Sequence, residues 1–173
     1  MIGYEQVMKQ VGELLGEKMA KMLPSTEMKG LPEVLNASET ICGIASGLYS
    51  GRNGVIVATN ERVFFFEKGR VWGSKLEEFR YENITSVQYS TGFIGGDITI
   101  FVAGNAAKID MVPNVYCKPF VDAVQKIIGS RSTPTLTSND EDFLAKLERL
   151  AALKSAGMLT DEEFKAAKLK LLT

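Results

Sequence analysis

Few residues in this sequence could do chemistry. There is no histidine, which removes the commonest general base and the commonest metal ligand. Two carboxylate clusters remain, Glu77-Glu78 and Asp161-Glu162-Glu163. Neighbours on a strand point to opposite faces, so Glu77 and Glu78 cannot act on one substrate from there. The second cluster follows Thr160 and reads as the start of a helix, where the dipole favours acids. Cys42 and Cys117 are far apart and form no CxxC pair; buried, reduced thiols of a cytoplasmic protein are expected. Gly92-Phe93-Ile94-Gly95-Gly96 has the glycines of a phosphate loop but no lysine after it. A hairpin loop that offers Phe93 and Ile94 as contact residues is the expectation there. This inventory points away from an enzyme, and no cofactor or metal site is expected.

Charge narrows the partners. The net charge of the 173 residues is −1, with acids and bases balanced in each segment. A nucleic-acid binder would carry a basic stripe, so no nucleic-acid partner is expected. No apolar run approaches the roughly 18 residues that span a bilayer. Glu5, Glu13 and Glu17 interrupt the first 23 residues, where a signal peptide would be apolar.

The elements that must position these residues are organised around Gly54–Gly69, GVIVATNERVFFFEKG. Two β-branched and aromatic runs flank Asn60-Glu61-Arg62, a hairpin signal. The runs are apolar at odd and even positions alike, so both faces need cover, from this chain or from a second copy. Residues 39–50, 54–59, 62–67, 71–80, 84–90, 97–103 and 107–112 are predicted strands, separated by Gly- and Asn-rich turns. Pro119 is predicted to open a helix that Gly129 stops. Seven close strands and one helix imply a sheet curled into a barrel or sandwich, with the helix plugging one open end.

Residues 1–23 read as one amphipathic helix that Pro24-Ser25-Thr26 ends, with Tyr4, Val7, Met8, Val11, Leu14, Leu15, Met19 and Met22 on the apolar stripe. A connection with one helical turn near Pro32–Leu35 follows. The chain thus divides into 1–38, the N-terminal helix and connection; 39–129, the sheet domain; 130–139, a Ser/Thr/Pro-rich linker; and 140–173, a helical hairpin. In the last, Thr160 and Glu163 form a capping box. Phe143, Leu147, Leu150, Leu159 and Phe164 exceed what two short helices can hide between them.

GVIVATNERVFFFEKG, then EEFRYENITSVQYS, then a terminal helix resembles the bacterial pleckstrin-homology-like (PH-like) domains of the YokE type, over Glu39–Gly129. Residues 141–172, EDFLAKLERLAALKSAGMLTDEEFKAAKLKLL, resemble a SHOCT element. The resemblance implies an α+β protein with a PH-like seven-stranded antiparallel barrel, capped by a C-terminal helix and followed by a small module associated with oligomerisation. It also implies a non-catalytic interaction protein. Self-association or a protein partner is expected, through the first helix, through Phe143, Leu147, Leu150, Leu159 and Phe164, and through Phe93 and Ile94. Lipid-binding relatives place several basic residues around the first hairpin loop. Arg52, Lys68, Arg70 and Lys75 stand in for them here, and imply at most weak attraction to an anionic membrane surface.

Overall fold

The computed structural model describes residues 2–69 and 73–132. Helices α1 (Tyr4–Leu15), α2 (Glu17–Ala20) and α3 (Ser25–Val34) come first. Strands β1 (Ile41–Tyr49), β2 (Arg52–Thr59), β3 (Arg62–Lys68), β4 (Ser74–Arg80), β5 (Ile84–Thr91), β6 (Gly96–Val102) and β7 (Asn105–Val112) follow. Helix α4 (Asn114–Ser132) closes the described part. The linker from 133 and the C-terminal hairpin lie outside the described residues.

The strands make one antiparallel sheet in the order β4-β3-β2-β1-β7-β6-β5. The loop lengths force it to curl. Laid flat, six strand spacings would separate β4 from β5 by roughly 29 Å. Yet Arg80 ends β4 and Ile84 begins β5, with only a 3-10 turn, Tyr81–Asn83, between them. Four residue steps reach at most about 14 Å. The barrel expected from the strands is therefore an open, curled sheet whose two edge strands approach without pairing. Its corner lies where β1 meets β7 through only Leu48↔Asp110 and Tyr49↔Ile109. Gly47 permits this, because a Cβ there would stand 2.5 Å from Ile109 Cγ2.

Both faces of the β2–β3 hairpin are covered, and by the chain itself. Val63, Phe64, Phe65 and Phe66 are all buried. Phe65 packs with Tyr49, ring centroids 5.2 Å apart, on the concave side that α4 fills. Phe66 lies on the convex side under α3, where Gly30 lets the helix come close enough for the ring to occupy its missing Cβ position. Val7 and Val11 of α1 and Met28 and Leu31 of α3 are buried in the same core. Besides the Lys68–Glu33 ion pair, three hydrogen bonds described here tether this N-terminal cover. Gln10 Oε1 accepts from the Ile41 amide at 3.0 Å, and the Met19 and Val34 carbonyls accept from the Tyr116 hydroxyl and Arg62 Nη2, each at 2.8 Å.

Several local expectations need correction. The first helix does not run unbroken to 23: Gly16 adopts φ +80° and divides it. Ser25 begins a ten-residue helix instead of ending one, and Pro32 sits inside it. The terminal helix starts at Asn114, with Pro119 in its second turn, and continues through Gly129. Nor is the first helix detached. Its apolar stripe serves this chain's own core, and only Tyr4, Leu14 and Met22 stay exposed among its large apolar residues.

Removing Phe65 leaves a cavity where Tyr49 and the hairpin meet. Phe65→Ala should cost about 3–5 kcal/mol in chemical denaturation. A loss below about 1 kcal/mol, within the range of surface substitutions, would show that the concave face is wet.

Candidate functional site

At the turn between β2 and β3, three residues of the hairpin signal meet a buried acid. Glu39 is 2% exposed, the most buried carboxylate described. Arg62 grips it with both arms of its guanidinium, Nε to Oε1 at 2.8 Å and Nη2 to Oε2 at 2.9 Å. Thr59 Oγ1 lies 3.0 Å from Oε1, and the Asn36 amide donates to Oε2 at 2.8 Å. Asn60 closes the turn by accepting from the Thr40 amide and donating to the Ser38 carbonyl. Arg62 Nη1 also reaches Glu78 at 2.7 Å, and its guanidinium stacks over Phe64. Burial pushes the Glu39 carboxyl up, but the bonds from Arg62, Asn36 and Thr59 outweigh it and hold the pKa below its ordinary 4.5. Both oxygens of Glu39 and all three guanidinium nitrogens of Arg62 thus have partners inside the fold, which makes the pair a clasp.

Glu77 and Glu78 part company as strand neighbours must. Glu77 accepts from the Tyr49 hydroxyl at 2.7 Å, while Glu78 accepts from Arg62. Burial and the Glu77 bond push the Tyr49 pKa up to about 12. Cys117 is buried and Cys42 half-buried; both are free thiols, and burial raises each.

The basic residues are brought together in part. Arg52 and Lys68 line a cleft of about 880 Å³ beside the start of α3, with Gly47, Gly54, Met111 and Pro113 among its walls. Arg52 and Lys75 line a smaller one of about 170 Å³. Arg70 lies outside the described residues. Arg52 is paired with Glu67 at 3.2 Å and Lys68 with Glu33 at 2.5 Å. Each positive charge in the larger cleft therefore has a carboxylate beside it.

The β5–β6 loop is the opposite case, apolar and open. Phe93 and Ile94 are the most exposed large apolar residues described, Ile94 at 85% and Phe93 entirely. The Gly92 amide closes the loop onto the Gly95 carbonyl at 3.0 Å, and Asn114 Nδ2 holds the Gly92 carbonyl at 2.8 Å. The tip is thus fixed to the first turn of α4, where Val115 is also exposed. Sequence reasoning named Phe93 and Ile94 but missed Val115 and the exposed Tyr89 of β5. Their signal was available only once β5 and α4 were known to be neighbours. Phe143, Leu147, Leu150, Leu159 and Phe164 lie outside the described residues.

The family model described as Bacterial PH domain matches residues 35–126. The chain belongs to the bacterial PH-domain family. That span includes the whole Glu39–Arg62 clasp, all seven strands and most of α4. Two solved structures are similar to it. One is a DUF1696 family protein with a pleckstrin-homology domain from Shewanella loihica PV-4, at 17% identity and TM-score 0.37, covering 59% of this chain and 86% of that one. The other is a pleckstrin homology domain from Shewanella amazonensis SB2B, at 19% identity and TM-score 0.33, covering 67% and 96%. No curated protein matches the chain.

The clasp makes stability depend on pH with a definite sign. Because the folded pKa of Glu39 is lowered, its contribution is complete above the ordinary value of 4.5 and is lost as pH falls through the folded value. Glu39→Gln should cost about 3 kcal/mol at pH 7, since Arg62 loses its buried counter-charge. It should also flatten the decline of the urea midpoint between pH 6 and 3. A variant with unchanged stability and the same acid slope would contradict the clasp.

Proposed function

We propose that this bacterial PH domain is a non-catalytic interaction module, which assembles with further copies of itself or with a protein partner. The reading is carried by the Phe93–Ile94 tip. A loop that merely joins two strands gains nothing from two adjacent apolar side chains in water, and such exposure marks contact sites. The resemblance of residues 141–172 to a SHOCT element supports the same reading, with Phe143, Leu147, Leu150, Leu159 and Phe164 as a second contact. Residues 1–38 contribute less than the sequence implied, because their apolar face is already used.

A peripheral module for anionic head groups is the alternative, favoured by the cleft that gathers Arg52 and Lys68. Their pairing with Glu67 and Glu33 works against it, since each acid cancels the attraction of about 1 kcal/mol that one basic residue offers an anionic surface.

Light scattering on the full chain, with Phe93→Ser/Ile94→Ser and Leu150→Asp as separate variants, tests the proposal. The wild type should be multimeric, and at least one variant should have a lower mass while the sheet domain stays folded. A wild type that is monomeric up to high concentration, binds no protein and sediments with anionic vesicles would promote the lipid reading.

A further inference from the structure

Helix α4 runs past the residue expected to stop it. Its buried apolar anchors are Phe120, Val121 and Val124, and the half-buried Ile127 and Ile128 are the last of its apolar contacts. Gly129, Ser130 and Arg131 are exposed, yet the helix continues to Ser132. Propensity does not account for this final turn, since glycine is a poor helix residue and serine a middling one. Ser130 also turns its hydroxyl back onto the Ile127 carbonyl at 2.8 Å, a bond that competes with the helical ladder. Arg131 holds the turn instead. Its Nη2 donates to the Asn60 carbonyl at 2.6 Å, Nη1 lies 3.3 Å from Glu82 Oε1, and the guanidinium stacks on the Tyr81 ring at 4.6 Å. These partners sit on the β2–β3 turn and on the 3-10 turn after β4. One exposed side chain thus makes all three contacts, and the Glu82 carboxylate it reaches is itself 70% exposed. Arg131 also borders a cleft of about 440 Å³, lined in addition by Tyr81, Ile84 and Ile128, so the turn has open space on that flank.

We propose that the last turn of α4, residues 129–132, is a strap with two states: wound and latched by Arg131, or unwound from Gly129 with the latch released. Residues 133–173 follow it directly in the chain, so the strap sets where they leave the sheet domain. Wound, its four residues span about 6 Å. Extended, they reach up to about 14 Å. Release therefore lengthens the connection by about 8 Å and frees its start from the β2–β3 turn. The two states lie close in energy because both sides of the balance are small. The polar contacts of one side chain stand against a glycine–serine turn that gains little from winding. The balance depends on ionic strength, since an exposed ion pair is weakened by salt. The strap works within one chain and goes beyond the self-association reading without resting on it.

Hydrogen exchange on the full chain, read at the amides of Ser130, Arg131 and Ser132, tests the strap. In the wild type these amides should be protected, but less than those of Val124–Ile127, because they open separately. Arg131→Gln keeps a similar helix propensity and removes the charge; it should lower their protection about tenfold. Gly129→Ala, whose added methyl meets nothing within 4 Å, should raise it about fivefold. Raising salt from about 0.01 M to about 1 M should lower the wild-type protection and leave that of Arg131→Gln unchanged. Both substituted residues are exposed, so the variants should fold, and constant protection at Val124 and Ile127 verifies it. Equal protection of 124–127 and 130–132 in the wild type would overturn the proposal, because the helix end would then open only with the helix. So would unchanged protection in either variant, or a salt response of the same size with and without Arg131.

Discussion

The bidentate pair between Glu39 and Arg62 is the constraint on which the rest of this structure depends. It draws one carboxylate out of water entirely, and a buried ion pair is not in itself a source of net stability. What it supplies here is placement. Arg62 starts β3, Glu39 ends the connection from the N-terminal helices, the Val34 carbonyl terminates α3, and Glu78 lies on β4. A single guanidinium therefore fixes the helical cover, the central hairpin and the edge strand relative to one another. Geometry of this kind needs arginine, because a lysine could not bond both carboxylate oxygens and a backbone carbonyl in one plane.

That placement decides which surfaces remain for function. The concave face of the curled sheet is filled by α4, and on the convex side α3 covers β3 while α1 packs on β1 and α3. With both its faces occupied, the β2–β3 hairpin leaves no sheet face for a partner, whereas outward positions of β5 and β7 stay exposed. One edge is charged, and the other is neutral and bordered by exposed apolar side chains. Phe93 and Ile94, the most exposed large apolar side chains described, stand on the β5 side, while Tyr4, Leu14, Met22, Leu76 and Met111 are exposed elsewhere.

Much of the sheet was legible in the sequence because its signals are local. Strand composition and Gly/Asn turns located seven strands to within a few residues, and the double-sided apolar character of Val55–Phe66 announced that cover was needed. What covered it was not legible. Val7, Val11 and Leu31 carry an amphipathic pattern that serves a neighbouring helix, a sheet or another subunit equally well. Two boundaries failed for backbone reasons. Gly16 takes a left-handed conformation inside an otherwise continuous helical pattern, and Pro119 is tolerated within α4 because it lies close to the start, where few intrahelical bonds are lost. The clasp itself was visible as a string of residues, Thr59-Asn60-Glu61-Arg62, but its acid lies 23 residues before Arg62. Only the fold brings them together. Likewise the candidate surface at Tyr89, Val115, Phe93 and Ile94 draws on two elements that no spacing rule connects.

The central claim is that Arg62 holds the N-terminal cover on the hairpin, and amide hydrogen exchange on Arg62→Met tests it most directly. Methionine keeps an unbranched apolar stem and removes the stacked guanidinium with every bond to Glu39, Val34 and Glu78. The account predicts that the amides of α3 and of the 36–40 connection exchange at least tenfold faster, while those of β6 and β7 change much less. Equal protection of α3 in the variant and the wild type would show that apolar packing alone seats the cover, and would contradict the account.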